Sequence, residues 1–580
     1  MLQIITGKFF RDVPLTERLH RGVYYTNLRF PSEQSIETRV GRLLPSTGWG
    51  GLSTPTYEIT ERLESVERNG SRSIMISTGG AELVNDFAAV VSFALNVTCT
   101  PDPDLTRRLV GDRNPGLGMS NVPSRYLQHT FNPEIIATED ADERLVAFID
   151  KLVSLRRAVF EDVMRAIRQY VIATHRLGDS PDLAYTLFVA ALESLAQSHD
   201  GHVGTWTDYE EAKRNRIDTA LHDAPAEIAD KVRAGILEVE QVALRRRFIS
   251  FALAHLAPSF FRRDAEVVAS PVSRTVLPRA LDAAYRIRSR YVHRLKPLPK
   301  ILGSPDHRFE IMEDDGNPIL TFNGLARLVR HAILTFVNRQ PAGEDPDFDY
   351  RQELPNIVRV RMASRYWIGQ AEGLTVQSAR SYLSAHFDEV GQVLAKAPDA
   401  AITDIPLILA KIEELVPGLA KASQRIPLLV LYASFHERVS EPHCRPNAEV
   451  FITRYSEELG SPAIETLFLY VSTGRELPWP LEEIEGLRRA YFDQKFSKHS
   501  LNVGFVAETM LTLCVAERYR IGGDESRARE LIAFAVENYP ASASLRAFEG
   551  RCANLSPLPE INGLSILRGN RSEDPAAPES

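Results

Sequence analysis

The 580-residue chain has only four cysteines, Cys99, Cys444, Cys514 and Cys552, too scattered to pair by sequence. That excludes a disulfide framework and the close-spaced thiols of a zinc module. No apolar run reaches the ~18 residues a membrane span needs; the best candidate, Phe87–Val97, is too short. The opening MLQIITGKFFRDVP has no basic head followed by an apolar stretch, so it does not read as a secretory leader. There is no Gly-x-x-x-x-Gly-Lys-Ser/Thr loop and no Gly-x-Ser-x-Gly elbow, which argues against a P-loop nucleotide engine and an α/β-hydrolase. His436, His443 and Cys444 lack a fourth ligand for zinc. The expectation is a soluble, cytoplasmic protein with no membrane segment, no metal and no cofactor.

Lysine is scarce too: 57 of the 68 basic residues are arginine. A GC-rich coding sequence produces such a bias, and so does selection for guanidinium forks that grip phosphate. The net charge of −8 argues against a protein that coats nucleic acid over its whole surface. The charge is unevenly spread, however. Gln241–Lys300 holds 13 basic and 3 acidic residues, a local +10, which leaves −18 for the rest of the chain.

Apolar content of 44% and charged content of 25% fit a folded chain. The pattern predicts a mainly α protein in three parts and a tail. Residues 1–138 read as an α/β domain of unassigned role, with a first strand at Leu2–Phe10, a short apolar run at Ser73–Ser77, a helix at Glu82–Leu95 and a loop at Pro45–Pro55. Residues 139–340 read as a helical bundle. Leu145, Phe148, Ile149, Leu152, Leu155, Val159, Val163, Ile167 and Val171 predict one helix of more than 30 residues. Asp179-Ser180-Pro181 predicts the start of a second, with Leu183, Leu187, Ala190, Ala191, Ser194 and Leu195 inward. Further helices are predicted at about 208–221, 226–237, 242–256 and 274–295. Asp315-Gly316 between two apolar runs predicts a hairpin, followed by a helix over Asn323–Asn338. Gln340–Tyr350 reads as a linker, and residues 351–568 as helical hairpins. Of these, Ser526–Tyr539 with Ala541–Cys552 is of tetratricopeptide kind. Residues 569–580 read as a disordered tail.

Within the basic stretch lies LDAAYRIRSRYVHRLKP, Leu281–Pro297. Arg288 and His293 stand five apart, Tyr285 three before the arginine and Ser289 directly after it. Arginine-to-histidine spacings of this order recur by chance in so arginine-rich a chain: Arg168–His175, Arg216–His222, Arg286–His293, Arg380–His386 and Arg438–His443. Arg288–His293 is set apart by the Tyr and Ser neighbours, the basic surroundings and a helix stopped by Pro297 and Pro299. This string resembles the mark of HEPN domains, and most closely the Apea-like branch. The helix Leu183–Ala196, with Glu193, is similar to the opening helix of that family. The resemblance covers roughly residues 140–340. This chain has Arg294 where that branch commonly has Gly.

The resemblance implies a metal-independent endoribonuclease, active as a homodimer through this domain, of the kind used as toxins or antiphage-defence effectors. His293 would be general acid/base and Arg288 the phosphate ligand, supported by Ser289, Tyr285 and Glu193. RNA would be gripped by Arg245, Arg246, Arg247, Arg290 and Arg294. The chemistry agrees in type. Metal-free RNA cleavage needs a base at the 2′-hydroxyl, an acid at the leaving oxygen and positive charge on the phosphorane. Histidine titrates near neutrality, and arginine holds phosphate bidentately. On an ideal helix, Arg288 and His293 lie ~140° apart, so either the last turn unwinds or two chains build the site. Two other readings are a non-catalytic HEPN scaffold that binds RNA or protein, and a helical-repeat protein working through a partner on its C-terminal helices.

Overall fold

The computed structural model describes residues 1–10, 15–30, 35–45, 48, 51–68, 71–74, 80–111, 122–133, 135–200, 205–209, 211–239, 244–266, 268–303, 308–343, 348–353, 360, 362–439 and 443–569. Trp49, Met75–Ser77 and the tail 570–580 lie outside them. The fold is mainly α, with 21 α-helices among the described residues. No helix there is long and apolar enough to cross a membrane. The chain forms two units, Met1–Val358 and Arg359–Ser580.

The first unit opens with an antiparallel sheet. Its strands are β1 (Leu15–Val23), β2 (Ile36–Glu37), β3 (Gly41–Leu44), β4 (Thr56–Arg68) and β5 (Ser71–Ile74). The order is β1-β4-β3-β2, with β5 paired to β4. The expected strand at Leu2–Phe10 is instead a single 3-10 turn, Ile4–Thr6, closed by Gly7 at φ 80°. Helix α1 (Ala81–Leu95) follows the sheet. It packs on α2 (Ala141–Ser154) and α3 (Arg157–Arg176). Residues 1–138 and 139–340 therefore do not pack as separate bodies: one apolar core runs from Met1 to Tyr350. The segment read as a linker joins it, because Tyr350 is buried in that core and Gly343 N donates to Ser154 O at 3.0 Å.

The long helix predicted from Leu145 is broken after Ser154. Leu155 and Arg156 are extended, with ψ 158° and 148°. A helix break frees carbonyls that need donors. Gln3 Nε2 donates to Val153 O at 3.1 Å and Leu155 O at 2.6 Å, and Lys8 Nζ to Leu155 O at 2.6 Å. The break is thus closed by residues about 150 positions away, which no local pattern signals.

Helix α4 (Pro181–His199) begins where Ser180-Pro181 predicted. Its predicted inner stripe is displaced: Leu183, Leu187, Ala190 and Ser194 are only half-buried. Ala184, Tyr185, Phe188, Val189, Leu192 and Glu193 are buried as well as Ala191 and Leu195. The reason is its central place. It packs against α3, α5 (Leu244–Ala254), α6 (Leu277–Arg294) and α7 (Phe322–Arg339). The predicted hairpin forms from β6 (Ile311–Asp314) and β7 (Asn317–Leu320). Its turn takes positive φ at both Asp315 (49°) and Gly316 (71°), which suits the twist of a two-residue hairpin.

The second unit has its own core. It holds α8 (Ala379–Leu394), α9 (Ala422–His436), α10 (Ile464–Thr473), α11 (Leu481–Gln494) and α12 (Phe505–Ile521). The hairpin expected near the end forms as α13 (Glu525–Asn538) and α14 (Ala543–Cys552). His386 on α8 is wholly buried, its Nε2 3.0 Å from Ser434 Oγ and its Nδ1 without a hydrogen-bond partner among the described residues. Burial, with Arg438 adding to it, pushes its imidazole down to about 3. The unfolded chain therefore binds a proton that the folded unit refuses, between the ordinary histidine value and about pH 3. The unfolding midpoint of this unit is expected to fall as pH drops from about 6.5, and His386→Leu to flatten that slope, as measured by circular dichroism melts across pH.

Candidate functional site

Helix α6 carries the motif. Leu277, Ala280, Leu281, Ala284 and Ile287 form its buried stripe. It stays helical through Arg294 and stops at Leu295, which is left-handed at φ 49°. The N–H of Leu295 donates to Tyr291 O at 2.8 Å, the bond of an αL close, and that of Lys296 to Arg290 O at 3.4 Å. Leu298 N then donates to Asp182 Oδ1 at 2.6 Å, which ties the exit to the start of α4. The last turn therefore does not unwind, and within one chain Arg288 and His293 stay ~140° apart around the helix.

The two residues live in different surroundings. Arg288 points into the bundle. Its Nη2 lies 2.5 Å from Oε2 of Glu193, a carboxylate only 4% exposed on the central helix. The other oxygen of Glu193 accepts from Tyr285 OH at 3.3 Å. Tyr285 packs on Phe248 of α5, and the Arg288 guanidinium lies 5.8 Å from the Tyr285 ring centre. Burial pushes the Tyr285 hydroxyl up to about 12, with the Glu193 carboxylate adding to it. Tyr285 is thus a neutral donor at ordinary pH. The Nε of Arg288 is enclosed without a hydrogen-bond partner among the described residues. Glu193, Tyr285 and Arg288 form one buried node that joins α4 to α6.

His293 is exposed, as are Arg290 and Arg294. Ser289, half-buried, lies four residues before His293 and shares its face. Of the α5 arginines expected to grip RNA, Arg246 is exposed, Arg247 is half-buried, and Arg245 Nε lies 2.5 Å from Asp282 Oδ1 on α6. Asp282 also takes Arg286 Nη2 at 2.6 Å. The structure therefore brings Glu193, Tyr285 and Arg288 together on one side of α6. It sets His293, Ser289, Arg290 and Arg294 elsewhere around the same helix.

Asp282 was not singled out from the sequence, and Arg286–His293 was set aside among the chance spacings. The signal existed: Asp282, Arg286, Ser289 and His293 fall at i, i+4, i+7 and i+11, one face of a helix. Next to α6's buried stripe, Val292 is 48% and Leu295 76% exposed, so apolar surface runs past the bundle uncovered. Among the described residues no group of three His, Cys, Asp or Glu is placed to hold a metal. His436, weighed as a ligand, has Nδ1 2.8 Å from Tyr432 O and accepts from Arg445 N at Nε2 at 3.1 Å.

Truncating Glu193 would leave the Arg288 charge half-buried and unpaired. Glu193→Ala is expected to cost on the order of 3 kcal/mol of stability. Adding Arg288→Ala is expected to cost much less than the sum of the single changes. Denaturant midpoints of the three variants check this. Comparison of the chain with protein-family models, with curated proteins and with solved structures finds no match.

Proposed function

We propose that this protein is a metal-independent endoribonuclease of the HEPN type that acts as a homodimer, in the role of a toxin or antiphage-defence effector. The observation that carries the reading is His293, a solvent-facing imidazole on the last turn of a helix flanked by exposed Arg290 and Arg294. Such a group can exchange protons with a substrate from solvent, which a buried histidine such as His386 cannot. In the reaction the ribose 2′-oxygen attacks the adjacent phosphorus and gives its proton to a base. The phosphorus–O5′ bond breaks, O5′ takes a proton from an acid, and a 2′,3′-cyclic phosphate remains. Guanidinium groups of the same surface offset the charge of the phosphorane.

One imidazole per chain serves poorly as base and acid together. The bare Val292 and Leu295 beside it support a second copy as the remedy, since uncovered apolar surface at a helix end is a ready contact between chains. Pairing there brings a second His293 to the site.

A second reading has one observation in its favour. Arg288 is already engaged by Glu193, which suits a scaffold that binds RNA without cutting it. Charge reversal at Arg245, Arg246 and Arg247 then abolishes binding, and no variant alters cleavage because there is none.

His293→Ala is expected to lower cleavage of a labelled RNA by at least 100-fold, the order set by loss of acid–base catalysis. Cleavage equal to the parent's would sink the assignment. Val292→Glu with Leu295→Glu is expected to turn a dimer into a monomer by light scattering and to remove cleavage with it.

A further inference from the structure

The endoribonuclease reading leaves open which arginine works beside His293, and the inference here rests on that reading. We propose that Arg286, held by Asp282, grips the substrate phosphate next to His293, and that Arg288 is a positioning residue.

The helix geometry separates the two arginines. Seven residues turn about 700°, so Arg286 lies within about 20° of His293 around α6, whereas Arg288 lies ~140° away. Along the axis Arg286 and His293 are about 10 Å apart, with Ser289 between them. Side chains on a helix lean toward its N-terminus, so Arg286 and His293 tilt the same way and the interval between them, over Ser289, is kept. The interval is open, because His293 is exposed and the Arg286 side chain is 56% exposed.

The electrostatics point the same way. Asp282 is 16% exposed and faces two guanidinium groups, Arg286 at 2.6 Å and Arg245 at 2.5 Å. One carboxylate against two cations leaves an excess positive charge. Both side chains lie in ion-pair range of it while much of each stays in water: Arg245 is 57% exposed. Two guanidinium groups drawn to one carboxylate, each still half in water, offer charge and N–H donors to a phosphate. Arg288 offers no such edge. It is 21% exposed, and its release would leave Glu193 buried and unpaired. The arginine that serves the phosphate is therefore the one on the histidine's own face.

The test compares Arg286→Ala, Arg286→Lys, Arg288→Ala and His293→Ala in the full-length protein, with cleavage of a labelled single-stranded RNA and the unfolding midpoint read for each. Arg286→Ala is expected to cut kcat/KM by about 100-fold with an unchanged midpoint, the order seen when one charge-stabilising donor is removed. Arg286→Lys, which keeps the charge and loses the fork, should fall between. Arg288→Ala should lower the midpoint, with cleavage falling only as the folded fraction falls. In a His293→Ala background, Arg286→Ala should weaken RNA binding several-fold. If the parent needs His293 and Arg286→Ala cleaves normally, the assignment of the arginine is wrong. If Arg288→Ala abolishes cleavage at an unchanged midpoint, it is wrong as well. A parent that cleaves no RNA, or a His293→Ala variant that cleaves like the parent, overturns the endoribonuclease reading itself.

Discussion

A carboxylate at the centre of the bundle must be met by a cation, and that requirement sets the rotation of α6. Glu193 sits on α4, which packs against four other helices, and water barely reaches it. Arg288 is the cation that meets it. Once Arg288 faces inward, every other side chain of α6 has its direction assigned by the helical repeat. Tyr285 falls beside the pair and donates to it. Asp282, Arg286, Ser289 and His293 turn toward the solvent arc, and Val292 and Leu295 carry apolar character beyond the edge of the core. A single buried ion pair thus sorts one helix into an anchoring face, an exposed polar face and an uncovered apolar edge.

The arginine surplus looks different when seen in place. Many of these guanidinium groups work inside the molecule. Arg330 donates to Phe93 O and Ala94 O at the end of α1, at 2.7 and 2.6 Å. Arg168 holds both oxygens of Asp86 at 2.6 Å. In the second unit Glu485 gathers Arg488, Arg489 and Arg527. Arginine suits such posts because its planar fork serves several acceptors and it keeps its charge when enclosed. The local +10 of Gln241–Lys300 is therefore not one continuous basic surface. Part of it, Arg245 and Arg286, is tied down by Asp282, and part, Arg290 and Arg294, is free to face a partner.

Much of this was legible in the chain. The start of α4, the Asp315-Gly316 hairpin, α7 and the last helical hairpin follow from periodicity and turn chemistry, which are local. Glu193 and Arg288 both lay on helices whose registers were readable, but their pairing was not. What failed was non-local. The break at Leu155 shows only when the donors Gln3 and Lys8 are in view, and the full burial of α4 only when its four neighbours are. The Arg288–His293 spacing drew attention by its likeness to a motif, while the i, i+4, i+7, i+11 line through Asp282 and Arg286 went unnoticed. Nothing local marks one exposed polar face of a helix off from another.

The way the first residues close the break between α2 and α3 has a practical side. Gln3 and Lys8 act as a splint across a joint in the middle of the bundle, and Gly343 braces the same joint from the other end of the unit. A fragment cut to begin at residue 139 would lose the Gln3 and Lys8 braces, and one cut to end at residue 340 would lose Gly343. The bundle that bears the motif is thus not a detachable module: its boundaries in sequence are narrower than its boundaries in physics.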